Sequence, residues 1–117
     1  MKLYRAVTQA ELHDLAARSG TFRNLPGIES KYFSTSAEGA ASYARQTYQR
    51  GGVVYEGPYT IVETEIPESA ITPGMMPPFG VDRGIRTVVV PTEKLPLLSP
   101  AQPLNYAPVS PWQFGRP

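Results

Sequence analysis

Lys31–Ala44 reads KYFSTSAEGAASYA. Two aromatics and a β-branched residue make KYFST extended in character, and an alanine-rich segment follows with no linker between them. Thr35 and Glu38 have the spacing of a capping box, in which the threonine hydroxyl accepts a backbone N–H and the glutamate reaches back. Alanines 37, 40, 41 and 44, then Tyr48, recur at helical spacing, so a helix is expected from there to Gly51-Gly52. Alanines on one face allow a helix to approach a sheet closely. The junction is therefore a strand turning at once into a helix that lies on the sheet.

The same unit precedes it. KLYRAV, from Lys2 to Val7, reads as a short strand, and Thr8 and Glu11 repeat the capping-box spacing. Leu12, Leu15 and Ala16 supply a short apolar stripe, Gly20 is the expected stop, and Pro26-Gly27 marks a turn. After the junction, VVYE (53–56) is a further expected strand. YTIVETEI (59–66) alternates, with Val62, Thr64 and Ile66 on one face and Ile61, Glu63 and Glu65 on the other. Residues 67–84 are irregular, rich in glycine, proline and methionine. IRTVVV (85–90) is the last strong strand and ends at Pro91. The order strand, helix, strand, helix, then several strands describes an α+β domain built on a bent or split sheet with short packed helices.

Two regions are expected: an α+β unit over 1–95 and a proline-rich tail over 96–117. Six of the chain's 13 prolines fall from Pro96 onward, which excludes a long helix or a central strand there. Leu97, Leu98, Leu104, Tyr106, Val109, Trp112 and Phe114 argue that the tail docks in part. The 117 residues suffice for one domain, and 41% hydrophobic composition suffices for a modest core. The chain has no cysteine, which excludes disulfides, thiol catalysis and cysteine-based zinc sites. A single histidine excludes a histidine metal cluster, and His13 has no obvious acid partner for a serine triad. A formal net charge of +1 gives no bulk electrostatic argument for nucleic acid. No apolar run is long enough to span a membrane.

The candidate chemistry lies in five places. Arg5 sits inside a short apolar strand, where a guanidinium has to meet solvent, a carboxylate or a ligand. Ser34, Thr35 and Ser36 give three hydroxyls where a cap needs one. With Thr35 as the cap, two remain beside an electropositive helix start. Tyr32, Phe33, Tyr43 and Tyr48 either wall a core or stack on a flat ring. Glu63 and Glu65 share a strand face, as solvated carboxylates or as groups that stabilise a developing cation. Asp82, Arg83 and Arg86 form a charged turn or mouth beside glycines 80 and 84.

Arg5 in a first strand, YFSTS running into AEGAASYA, a carboxylate-bearing strand and a late FGVDRGIRTVVVP together resemble the ADP-ribosyltransferase superfamily over residues 2–91. The resemblance is to its arginine–serine–glutamate branch. It implies that NAD is the substrate, with Arg5 on a phosphate or the nicotinamide-side ribose. Ser34, Thr35 and Ser36 would be the middle motif beneath the nicotinamide, with Tyr32 or Tyr43 against the ring and Arg86 at the mouth. The third motif departs from the pattern. Before VVVP stand Ile85, Arg86 and Thr87 where the branch carries carboxylates, so Glu63, Glu65 and Asp82 are the candidate catalytic acids. The resemblance also implies a bacterial toxin or effector domain that acts in the cytoplasm of the producing or target cell, either alone or as part of a larger secreted protein. Its partners would be an immunity protein or antitoxin and a macromolecular acceptor. Pro-Phe-Gly followed by Asp-Arg-Gly also resembles the NAD-glycohydrolase toxins of the same superfamily, which implies hydrolysis as an alternative to transfer. Residues alone leave other readings open: a small ribonuclease using Arg5, Arg83, Arg86 and a carboxylate without NAD, and a non-catalytic module whose tail docks a partner.

Overall fold

The computed structural model describes residues 1–51, 58–77 and 86–105, the side chains of 46–51 excepted. The strand expected at VVYE, the side chain of Tyr48, the turn carrying Asp82 and Arg83, and the tail beyond Asn105 lie outside the described residues.

The chain forms a five-stranded antiparallel sheet in the order β4-β2-β1-β3-β5. The elements are β1 (Lys2–Val7), α1 (Gln9–Ala17), β2 (Ser30–Ser34), α2 (Ala37–Gly51), β3 (Thr60–Glu65), β4 (Thr87–Pro91) and β5 (Gln102–Pro103), with short 3-10 turns between β3 and β4 and after β4. The fold is thus α+β, as the alternation of elements indicates. β1 pairs with β3 along its whole length, from Lys2 opposite Glu65 to Val7 opposite Thr60. β2 pairs with β4 from Ser30 opposite Pro91 to Ser34 opposite Thr87. Between β1 and β2 the pairing is limited to Tyr4 opposite Ser34. The two halves of the sheet touch at that point and diverge beyond it.

Period-two alternation sorts β1 between two cores. Leu3 and Val7 are fully buried on one face with Leu15, Phe22, Phe33, Val62, Ile66, Val88, Val90 and Leu95. Phe22 meets Phe33 edge-on, ring centroids 5.2 Å apart at 87°. On the other face Ala40, Ala41 and Ala44 of α2 close over Ile61, with Tyr4 and Ala6 alongside. The alanine face does what its size permits and brings α2 close to the sheet. The strand YTIVETEI therefore has its Ile61 side covered rather than solvated, and only Glu65 at its end is exposed.

Helix ends differ from the simple sequence reading in two informative ways. Thr8 caps α1 as expected, its hydroxyl accepting the Glu11 N–H at 3.1 Å, but the Glu11 side chain does not return to complete the box. It is taken by Arg5 instead. At α2 the cap is Ser36, not Thr35: Ser36 Oγ accepts the Gly39 N–H at 2.9 Å. Thr35 is still tied to the neighbouring strand, its N–H donating to the Arg86 carbonyl at 3.4 Å, so the turn into helix comes one residue later. The third helical position is then Gly39, which has no side chain to close a box.

The C-terminus of α1 is a Schellman turn. The Gly20 N–H donates to the Leu15 carbonyl at 2.7 Å and the Ser19 N–H to Ala16 at 3.4 Å. Ser19 takes the left-handed conformation at φ 57°, and Gly20 follows at φ 85°. Gly20 is also one of the places where the tail docks, after Ser99 has bonded to β3, its N–H donating to the Glu65 carbonyl at 2.8 Å. Ala101 N–H donates to the Gly20 carbonyl at 2.9 Å, and a Cβ at Gly20 would lie 2.8 Å from the Ala101 nitrogen. From there Gln102 and Pro103 add to β3 as an edge strand, a position proline tolerates. Gly20→Ala is expected to cost more than Gly27→Ala in urea unfolding, by roughly 1–2 kcal/mol. Both glycines have positive φ, but a Cβ at Gly27 meets nothing within 4 Å. Equal costs would mean that the tail does not hold this contact.

Candidate functional site

Past the single pair Tyr4–Ser34, the gap between β1 and β2 is filled by the Arg5 side chain. Nη1 donates to the Tyr32 carbonyl at 2.9 Å. Nε and Nη2 fork the Glu11 carboxylate at 2.7 and 3.0 Å, a bidentate and largely buried pair. Lys31 approaches the same carboxylate, Nζ 3.5 Å from Oε2, with 10% of its side chain exposed. Glu11 thus serves two cations. Burial pushes its carboxyl up, but hydrogen bonding and charge from Arg5, with Lys31 adding, outweigh that and hold it below the usual value. Lys31 is shifted down, first by burial and then by the charge of Arg5, against the opposing pull of Glu11.

Two cavities flank this cluster and share Arg5, Glu11 and Tyr32 in their walls. The first, of about 360 Å³, lies over the split on the α2 side. Ser34, Thr8 and Thr87 supply hydroxyls to it, Ala40 and Ala44 form its apolar floor, and Tyr4, Tyr32, Tyr43 and Tyr59 surround it. The second, of about 530 Å³, lies between α1, the loop 23–30 and β2. Tyr32 and Tyr43, among the residues lining the first cavity, are 46% and 44% exposed.

Of the residues singled out in the sequence, Arg5, Tyr32, Ser34 and Tyr43 converge on the first cavity. Ser34 is buried at the end of β2. Ser36 is exposed and engaged as the α2 cap, while Thr35 joins the strand ladder; neither lines the cavity. Arg86 is exposed and also stands outside that lining, its carbonyl serving Thr35. Glu63 lies directly opposite Tyr4 and outside the lining of the first cavity. Hydrogen bonding to the Glu63 carboxylate, followed by burial and the carboxylate charge, raises the Tyr4 pKa above its usual value. Glu65 is at the far end of β3, opposite Lys2 and 4.0 Å from the N-terminal amine, away from both cavities. Asp82 lies outside the described residues. Among the described residues no group of three or more His, Asp or Glu side chains could hold a metal ion, and no helix is long and apolar enough to cross a membrane.

No family model, curated protein or solved structure matches this chain. Function therefore has to be argued from the site. The residues that sequence reasoning passed over are Glu11, Lys31, Tyr4, Tyr59 and Thr87. Glu11 was legible as an acid three residues past a cap, a position that usually faces the backbone. Nothing local indicates that it turns to a strand arginine six residues earlier.

Proposed function

We propose that the first cavity binds NAD and that the protein cleaves the nicotinamide–ribose bond, transferring ADP-ribose to a macromolecule. The observation that carries this reading is the convergence, at a split in an antiparallel sheet, of Arg5, Ser34, Tyr32 and Tyr43 around one cavity. A scatter of these residues over different faces would have removed its basis. The volume of about 360 Å³ falls in the range of small-molecule sites and suits a flat amide ring with its ribose. The split sheet with α2 laid across one face is also what an ADP-ribosyltransferase-like fold would require.

In this reading the nicotinamide ring lies between Tyr32 and Tyr43 over the alanine floor, and Ser34 meets its carboxamide. Arg5, fixed in direction by Glu11 and the Tyr32 carbonyl, presents its outward N–H groups to a phosphate or ribose oxygen. Breaking the glycosidic bond releases neutral nicotinamide and leaves positive charge on the ribose, so a nearby fixed negative charge lowers the barrier. Neither Glu63 nor Glu65 lines the cavity, and Glu63 is the nearer candidate because its strand partner is Tyr4, a wall residue, whereas that of Glu65 is Lys2. Asp82, outside the described residues, remains a candidate acid. If water is the acceptor, the same site is an NAD glycohydrolase. A toxin or effector role in a bacterial cytoplasm, with an immunity protein covering the cavity, belongs to the same proposal.

Incubation with NAD and a mixture of RNA and protein, followed by mass spectrometry, separates the outcomes. The reading expects nicotinamide together with ADP-ribosylated polymer, or with free ADP-ribose if hydrolysis dominates. RNA cleavage without NAD would favour a ribonuclease, and no product of either kind would favour a binding module.

A further inference from the structure

The second cavity does not depend on the NAD reading. Its charged walls hold three cations, Arg5, Arg23 and Lys31, against two carboxylates, Glu11 and Asp14. Both carboxylates are already forked by arginine. Arg23 grips Asp14 at 2.7 and 3.1 Å, and Arg5 grips Glu11 at 2.7 and 3.0 Å. The surplus charge falls on Lys31, whose ammonium reaches only to 3.5 Å from an oxygen that Arg5 holds more closely. A nearly buried ammonium with a shared counter-ion is costly, and its lowered pKa reflects that cost. An incoming anion would relieve it.

Beside these charges the cavity is lined by polar Asn24 and Ser30 and by apolar Leu25 and Ile28. Five large hydrophobic side chains are exposed among the described residues, and two of them, Leu25 and Ile28, line this cavity and not the first. Leu25 and Ile28 are 70% and 53% exposed on either side of the turn at Pro26-Gly27. The Ile28 carbonyl also accepts from Thr92, which ties this turn to the chain just after β4. A surplus cation at the base and apolar groups at the mouth define an amphiphilic ligand with its charge inward.

We propose that the second cavity is a binding site for a small anion with an apolar body, its carboxylate or phosphate on the Lys31 ammonium and its body against Leu25 and Ile28. Phenyl phosphate and 3-phenylpropionate are suitable probes, with inorganic phosphate and benzyl alcohol testing each half alone. Titration followed by amide NMR should move signals of residues 23–32 for both aromatic anions, and the tighter of the two identifies the preferred head group. Each half alone should bind more weakly. Lys31→Met and Lys31→Gln should each weaken both anions about tenfold or more, the loss of one charge-assisted contact. Ile28→Ser should weaken them several-fold while sparing inorganic phosphate. Unchanged affinity in a folded Lys31 variant would overturn the proposal, as would shifts confined to residues 40–44 of the first cavity, or no binding of either anion by the wild type at millimolar concentration.

Discussion

Replacing Glu11 with alanine should cost about 2–3 kcal/mol of unfolding free energy at neutral pH, because two partly buried cations then face each other without a counter-ion. Arg5 and Lys31 are 24% and 10% exposed at the side chain, so water replaces the carboxylate only in part. The loss should shrink when Lys31→Met is added, since that removes the surplus cation the carboxylate was neutralising. Such coupling between contacting residues is typically about 0.5–3 kcal/mol. Urea unfolding monitored by circular dichroism measures the whole cycle. A single variant within about 0.5 kcal/mol of wild type, the range of an ordinary surface change, would contradict the burial of this cluster.

The same cluster sets an acid dependence. The folded-state pKa of Glu11 lies below its ordinary value of 4.5, so at intermediate pH the unfolded chain binds more protons than the folded one. Its contribution is fully present above about that value and is lost as pH falls through the folded one. Glu11→Gln should therefore flatten the acid limb of the wild-type stability curve. Lys31 behaves differently at the alkaline end. Its folded pKa is below the ordinary 10.5, so stability rises with pH between the two values, and Lys31→Met should abolish that rise.

The second large effect is on chemistry. On the proposed NAD reading, Arg5→Ala, and also Arg5→Lys, should lower NAD turnover by at least about 10²–10³-fold, the usual scale for removing one preorganised electrostatic contact. Lysine keeps the charge but cannot fork Glu11 and reach the Tyr32 carbonyl together, so its ammonium would not hold the same direction. The lysine variant should retain more stability than the alanine variant, which separates loss of site geometry from loss of fold. Wild-type turnover in a folded Arg5→Lys would remove Arg5 from the site.

Much of the fold could be read along the chain because its signals are local. Alternation in YTIVETEI, alanine spacing after Ser36 and the prolines of the tail each act over a few residues. Misreadings arose where a distant partner decided the matter. Thr35 has the chemistry of a cap, but its N–H is claimed by Arg86, fifty-one residues later, which moves the cap to Ser36. Glu11 has the position of a capping-box acid, and a guanidinium across the strand outcompetes the backbone N–H. Glu63 and Glu65 share a face as the alternation requires, yet register alone separates them, one opposite Tyr4 and the other opposite Lys2. The divergence of β1 from β2 has no local signature at all. It becomes intelligible only once Arg5 is seen to occupy the gap.

The most direct measurement is nicotinamide release from NAD by the purified chain, compared with a folded Arg5→Lys variant. The site described predicts release that is time- and enzyme-dependent in the wild type and reduced at least about 10²-fold in the variant. No release by the wild type, or equal release by both, would contradict it.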